Sequence, residues 1–343
     1  MEKTASASQL HRPRLVDVAR MAGVSTATAS RALSNPDLVA VSTRKAVQAA
    51  AENFGYKVNL VARSLRKQCS QAILVLIPSL DNQVYPEICH GIEAGAHRRG
   101  YAIVPGFTSR EHWAEQTYLD IVNARRADGL IIVDPEVRRQ VEAGVRGPVP
   151  IVQLLEAPAG ATASVRIDDE AAGVALMQHL IGLGHRRIAH VRGPHDSAVA
   201  ERRLAGFRRA LAEAGLSADQ GLIVEGDGSF AAGAAAMDAL MGRARPPTAV
   251  FCVNDTVALG AIRRTKQLGL SVPGDVSIVG IDDIYSAAIA DPPLTTIRQP
   301  RQDIGAAGVD MLVGMLEGRR GVAREIILPH ELVVRASTAA PHS

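Results

Sequence analysis

The chain has 343 residues, 47% of them hydrophobic, 21% charged and 3% aromatic, with a formal net charge of +3. This is globular composition with enough apolar material for a sizeable core, so wholesale disorder is excluded. Met1 to Pro13 lacks the apolar run of a secretory leader, and Ala72 to Ile77 falls far short of the roughly 20 residues of a bilayer span.

Cys69, Cys89 and Cys252 have no CxxC spacing, which speaks against a disulfide framework and a zinc module and for reduced thiols in the cytoplasm. The charge is unevenly placed. Residues 1–68 hold 11 Lys or Arg against 4 Asp or Glu, and the rest hold 27 against 31. A basic head on a mildly acidic body suggests that the head meets a polyanion.

Within the head, Leu15, Val18, Ala19 and Ala22 recur on one helical face. Gly23-Val24-Ser25 suits a turn followed by a Ser cap. The second helix is predicted over 26–33, with Ala29 and Leu33 inward and Thr26, Ala27, Ser30 and Arg31 outward, and Asn35-Pro36-Asp37 stops it. A third helix is expected over 42–54, with Val47, Ala50, Ala51 and Phe54 on one stripe. A second helix of small polar residues plus Arg is what a major-groove reader needs: small side chains allow close approach, and Arg reaches guanine edges or phosphates.

Residues 57–67 join head to body, and Val61, Ala62 and Leu65 share one face of a segment too short to be helical alone in water. From residue 71 strands and helices alternate. Strands are expected at 72–77, 102–105, 129–133, 151–154, 188–191, 222–224, 249–253 and 276–281. Helices are expected at 87–99, 169–183, 198–214, 231–241, 255–268 and 301–317. The fold class is therefore α/β, an all-α helix-turn-helix head followed by doubly wound parallel sheets, too long for one sheet and read as two lobes.

Ligands of such sheets sit beyond the carboxyl ends of the strands. There the sequence places Ser79, Asp81, Asp168, Asp227, Asn254, Asp255, Asp282 and Asp283, with Arg203 opening a helix. Asp, Asn and Arg together suit a polyhydroxyl ligand, because each hydroxyl both donates and accepts. Tyr85 and Phe230 are the candidate aromatic faces. No catalytic constellation stands out: there is no GxxxxGK[ST], HExxH or GxSxG. Gly226 to Ala231 fits GxGxxA but lacks the later acid-ended strand, and His185 and His190 read as strand or turn residues. Neither an enzyme nor a metal or cofactor site is expected.

The ordered blocks LVDVARMAGVSTATASRALSNP, TRKAV, NFGY, LGHRRIAHVRGP, RRLAGFRRAL, PPTAVFCVNDTVALGAI, VSIVGIDD and DPPLTTIRQP resemble the lactose/galactose-repressor family of bacterial transcription regulators over about residues 14–336. The later blocks look closest to members of the cytidine and purine kind, and IPSLDNQVYPEI resembles gluconate-type members. The resemblance implies a transcriptional repressor whose DNA binding is controlled by a small sugar-like effector, ribose- or nucleoside-like or else a sugar acid. The rival class is the solute-binding receptor of a transporter, against which the basic head argues.

By the resemblance, Thr26, Ala27 and Arg31 match base-reading positions, Thr28 and Ser30 neighbouring contacts, Arg14 a phosphate contact, and Leu65 the leucine that wedges into the minor groove. Ala40 stands where the family has a capping Ser, which leaves Ser42 to cap the third helix. Arg203, Asn254, Asp282 and Gln299 match effector contacts, Asp168 matches a less constant one, and Gly228 stands at the family's stacking aromatic. The implied body is of the periplasmic-binding-protein type, crossing between lobes near 185, 298 and 328. The expected organisation is tail 1–13, head 14–57, hinge 58–68, first lobe 69–184 and 299–328, second lobe 185–298 and 329–338, and tail 339–343. The expected partners are double-stranded operator DNA, a sugar, nucleoside or sugar-acid effector and a second copy in a homodimer, with no membrane.

Overall fold

The computed structural model describes residues 13–342 except 35, 57–68, 109–114, 135–136, 157–162, 218 and 220–221. The chain divides into two units, residues 1–70 and 71–343. Leu65 and the whole expected hinge lie outside the described residues.

The first unit holds α1 (Leu15–Met21), α2 (Thr26–Ser34) and α3 (Val41–Asn53). Gly23 takes a positive φ of 65° in the α1–α2 turn, which a side chain would strain. Ser25 then caps α2: its Oγ accepts from the Thr28 N–H at 3.1 Å. Val18, Ala19, Ala29, Ala32, Val47, Ala50 and Ala51 form the core between the three helices. Two expectations fail at α3. It starts at Val41 with Ala40 at the cap position and no side-chain cap, so Ser42 does not cap it. Phe54, just past its last turn, is exposed, because the stripe ends once Ala50 and Ala51 have filled the space between helices.

The second unit has two six-stranded sheets. The first contains β1 (Ala72–Ile77), β2 (Ala102–Phe107), β3 (Gly129–Ile132), β4 (Ile151–Leu154), β5 (Ser164–Ile167) and, from far down the chain, β11 (Glu325–Leu328). Its order is β11-β5-β4-β3-β1-β2, with every pairing parallel. The second contains β6 (Ile188–Val191), β7 (Ile223–Val224), β8 (Ala249–Cys252), β9 (Ser277–Asp282), β10 (Thr295–Arg298) and β12 (Glu331–Val333), in the order β12-β10-β9-β8-β6-β7. There only β12 runs antiparallel. The helices are α4 (Val84–Arg98), α5 (Glu115–Asn123), α6 (Arg138–Gly144), α7 (Asp169–Gly182), α8 (Ala198–Glu213), α9 (Phe230–Met241), α10 (Asp255–Gln267), α11 (Tyr285–Ile289) and α12 (Arg301–Leu316).

Central strands are buried along their length, as parallel strands covered on both faces must be. α12 returns to the first sheet and packs on α4, where a Cβ on Gly91 would lie 2.0 Å from the Gln302 carbonyl oxygen. The first crossing differs from expectation. α7 packs on α8 and touches β8, β10 and β12, so the chain changes lobe at Asp168 rather than near 185. Glycine explains the fit: a Cβ on Gly206 of α8 would sit 2.3 Å from the Glu170 carbonyl oxygen of α7.

Candidate functional site

In the first unit α2 turns one face out. Thr26, Ala27 and Arg31 are exposed, Thr28 and Ser30 half-buried. Arg31 has no ion-pair partner among the described residues, so its guanidinium is unspent. Thr28 is partly committed, since its hydroxyl and the Ser25 hydroxyl lie 2.8 Å apart. Arg14 flanks the start of α1 with its side chain 67% exposed, and Asp17 lies 4.0 Å from both Arg14 and Arg20. This is a surface that can offer short side chains and cations to a polyanion.

In the second unit the carboxyl ends of the strands of both lobes face one cleft of about 1060 Å3. Tyr85, Arg203, Asn254, Asp282 and Gln299 line it, as do Ser79 and Asp227. Asp282 ends β9, with φ 133° at Asp282 and 53° at Asp283, two strained residues in succession. Their surroundings over-determine them. Arg301 donates to both carbonyl oxygens, reaching that of Asp283 at 3.0 Å. Asp283 is clamped by Arg298 at 2.7 Å and Arg335 at 2.6 Å. Burial alone would raise the Asp283 carboxyl, but these two arginines outweigh it and hold it below the usual range.

Asp282 itself accepts from Gln299 Nε2 at 2.6 Å and lies 3.8 Å from Arg203 Nη2. Arg203 donates through Nε to Asp169 at 2.9 Å and through Nη1 to the Val253 carbonyl at 2.6 Å. The cation is thus shared between two buried carboxylates. Burial pushes both Asp282 and Asp169 up, and Arg203 pulls both down. Beneath them Asp255 receives the Ile284 N–H at 3.0 Å and the Thr296 hydroxyl at 2.5 Å. Burial first, and the neighbouring Asp282 charge second, push Asp255 up to about 7. Asn254 caps α10 through Oδ1, accepting from Val257 N–H at 2.8 Å, and its Nδ2 donates to the Gly228 carbonyl at 3.2 Å.

Two expected contacts are elsewhere. Asp168 does not line the cleft; it caps α7, accepting from Ala171 N–H at 3.0 Å, and the next residue, Asp169, faces the ligand space. Phe230 does not line it either. Its ring is partly exposed and stacks under the Arg263 guanidinium at 5.9 Å, because Ser229 caps α9 and turns the first residue of that helix outward. Asp255 and Asp283 do not line the cleft either: Asp255 accepts from the Ile284 N–H and the Thr296 hydroxyl, and Asp283 from Arg298 and Arg335. Sequence reasoning missed Thr108, Asp134, Arg138, Glu142, Glu156 and Ser197, all lining the cleft. The strand-end rule applied at β2, β3 and β4 reaches the first two and Glu156, and the i, i+4 spacing pairs Arg138 with Glu142. Nothing local marks Ser197 beyond its place as the cap of α8.

Buried donors and acceptors held in a fixed array suit a ligand rich in hydroxyls, and among the described residues of the cleft no nucleophile stands beside a base. Comparison with known proteins agrees with both halves. Residues 14–59 match a model described as bacterial regulatory proteins, lacI family, and residues 177–338 one described as a periplasmic binding protein-like domain. The chain is 37% identical over 328 residues to the HTH-type transcriptional repressor CytR of Escherichia coli strain K12, covering 94% of this chain and 96% of that protein. It is 33% identical over 322 residues to the repressor PurR of Vibrio campbellii, covering 93% and 96%. Among solved structures, the lac repressor dimer bound to operator and the anti-inducer ONPF matches with a TM-score of 0.83 at 33% identity, over 96% of this chain and 99% of that one. The CelR–cellobiose complex matches at 0.71 and 31%, over 95% and 100%.

Proposed function

Because the chain belongs to the lacI family of bacterial regulatory proteins, and is with it a DNA-binding transcriptional repressor rather than an enzyme, we propose that its effector is a nucleoside or ribose-like sugar held between the two lobes. The repressor acts as a homodimer on a near-palindromic operator, and the effector releases it. One observation carries the effector reading: Arg203 is shared between Asp169 and Asp282, with Gln299 on Asp282, a buried set of donors and acceptors at the cleft that suits hydroxyls. The resemblance of the later sequence blocks to members of the cytidine and purine kind supports a nucleoside over a hexose. Thr26, Ala27 and Arg31 read bases, Arg14 meets phosphate, and a symmetric pair of heads supplies the contact area that one short head lacks. The wedge role of Leu65 rests on the family resemblance alone.

The test begins by selecting duplexes from a random library with the purified full chain, then titrating the selected duplex with cytidine, uridine, ribose and gluconate while following anisotropy. Release by the nucleosides or ribose is expected. Release by gluconate alone would replace this reading with that of a sugar-acid sensor. Asp282→Ala should keep duplex affinity and lose the response, since head and cleft are separate sites; an unchanged response would sink the cleft assignment.

A further inference from the structure

Among the described residues, each wall of the cleft hides one side-chain polar atom with neither solvent nor partner: Nη1 of Arg138 on the first lobe and Oδ2 of Asp169 on the second. Arg138 is 5% exposed, and its Nε and Nη2 both go to Glu142 Oε1, at 2.9 and 2.8 Å. Asp169 is 1% exposed, and its other oxygen is taken by Arg203. Buried polar atoms are ordinarily paired, so an orphan at a ligand cleft marks a place for a ligand atom. The orphaned atoms of Gln153 and His190 belong to residues that do not line the cleft.

The two orphans differ in sign. A guanidinium nitrogen only donates and needs an acceptor, while a carboxylate oxygen accepts and needs a donor such as a hydroxyl. The acceptor has to be uncharged. Glu142 already neutralises Arg138, and across the whole lining seven carboxylates face three arginines. A further carboxylate would enter a field of its own sign. At about 1060 Å3 the cleft also exceeds what one sugar ring fills, since pockets of about 300–1,000 Å3 hold drug-sized ligands.

We propose that Arg138 is a specificity residue that donates to a neutral carbonyl oxygen on the effector while Asp169 takes a sugar hydroxyl, so that the protein prefers nucleosides whose base carries a carbonyl. This rests on the nucleoside reading of the cleft. Uridine and inosine carry such an oxygen; adenosine and free ribose do not bring one to that wall.

Calorimetric titration of the full chain with uridine, inosine, adenosine and ribose tests it. Wild type should bind uridine and inosine roughly 10-fold or more tighter than adenosine, because a site built to hydrogen-bond a group penalises its absence. Arg138→Leu should weaken uridine and inosine by roughly that factor and leave adenosine and ribose within about 2-fold, erasing the preference. Operator affinity and melting temperature report whether that variant folds. If it does not, Arg138→Lys, which keeps a cation beside Glu142 but loses the guanidinium fork, gives the same comparison. Three results overturn the proposal alone: equal uridine and adenosine affinity in wild type, a preference that survives at residue 138, or a parallel loss for all four probes. Failure of every nucleoside to bind wild type overturns the nucleoside reading with it.

Discussion

Replacing Arg203 by Met removes the one cation that two buried carboxylates share. Asp169 loses a donor at 2.9 Å, the Val253 carbonyl one at 2.6 Å, and Asp282 its charge neighbour at 3.8 Å. Taking one partner from a buried pair costs about 3–5 kcal/mol, mostly the penalty of the abandoned charge. That penalty can be relieved by protonation. Burial already raises both carboxyls and Arg203 pulls them back, so without Arg203 they rise further above their unfolded values. A carboxyl with a raised folded pKa stabilises the fold most below its unfolded pKa near 3.9, and that stability is lost as pH rises through the folded value. The variant should therefore suffer most in alkali. Urea unfolding at a fixed protein concentration should show a loss of about 4 kcal/mol at pH 8 and less than half of it at pH 5. Asp169→Asn in the same chain should recover part of the loss at pH 8. An equal deficit at both pH values would refute the idea that abandoned charge sets the cost.

Burial pushes His190, in the second-lobe core against Phe207 and Phe251, down to about 4. Its folded pKa is depressed, so stability present above about pH 6.5 is lost as pH falls toward 4, by about 3 kcal/mol; His190→Leu should flatten the dependence of unfolding free energy on pH in that window. Gly206→Ala drives a methyl to 2.3 Å from the Glu170 carbonyl oxygen, so α7 and α8 must separate, and a fall of about 1–3 kcal/mol in unfolding free energy is expected. Arg31→Ala should cost about 1–3 kcal/mol on the selected duplex if the guanidinium pairs with a base; undiminished affinity in an anisotropy titration would remove Arg31 from the readout.

What the sequence made legible depended on apolar runs. β1, β3 and β8 are continuous apolar stretches, β4 and β9 are apolar but for one or two residues, and all stand out, while α8 and α10 show a buried stripe. β5, β10, β11 and β12 did not, because each has four residues or fewer with an Arg or Glu among them. Their membership in the sheets comes from pairing with distant segments, as β11 does with β5 across more than half of the body. The lobe change at Asp168 was hidden for a related reason: α7 is apolar on most sides, and only its tertiary contacts with α8, β8, β10 and β12 assign it to the second lobe. The site was legible where a strand ends in a polar residue that faces the cleft, as at Asn254 and Asp282. It was misread where two acids stand in a row. Of Asp168 and Asp169, spacing alone does not say which caps the helix and which meets Arg203.

The two lobes also touch directly, away from Arg203, Asp169 and Asp282. Glu156, after β4 of the first lobe, accepts from the Ser197 hydroxyl at 2.7 Å and the Val199 N–H at 3.3 Å at the start of α8. At another point of the cleft rim Gln83 donates to the Ser286 hydroxyl at 2.6 Å and accepts its N–H at 3.2 Å. These four bonds join opposite lobes and need no ligand. At about 1 kcal/mol net each, they favour the lobe arrangement of this structure by a few kcal/mol. An effector shifts the equilibrium only by the difference in its affinity for the two states, and a swing from 1:99 to 99:1 needs about 5.5 kcal/mol of difference. On the proposed reading of the cleft, the rim bonds would set where that swing starts, and Arg203, Asp169 and Asp282 how far a ligand can push it. On that reading, Gln83→Ala should shift the effector concentration for half-release of the duplex in an anisotropy titration while leaving the proposed recognition atoms in place, and an unchanged midpoint would remove these bonds from the switch.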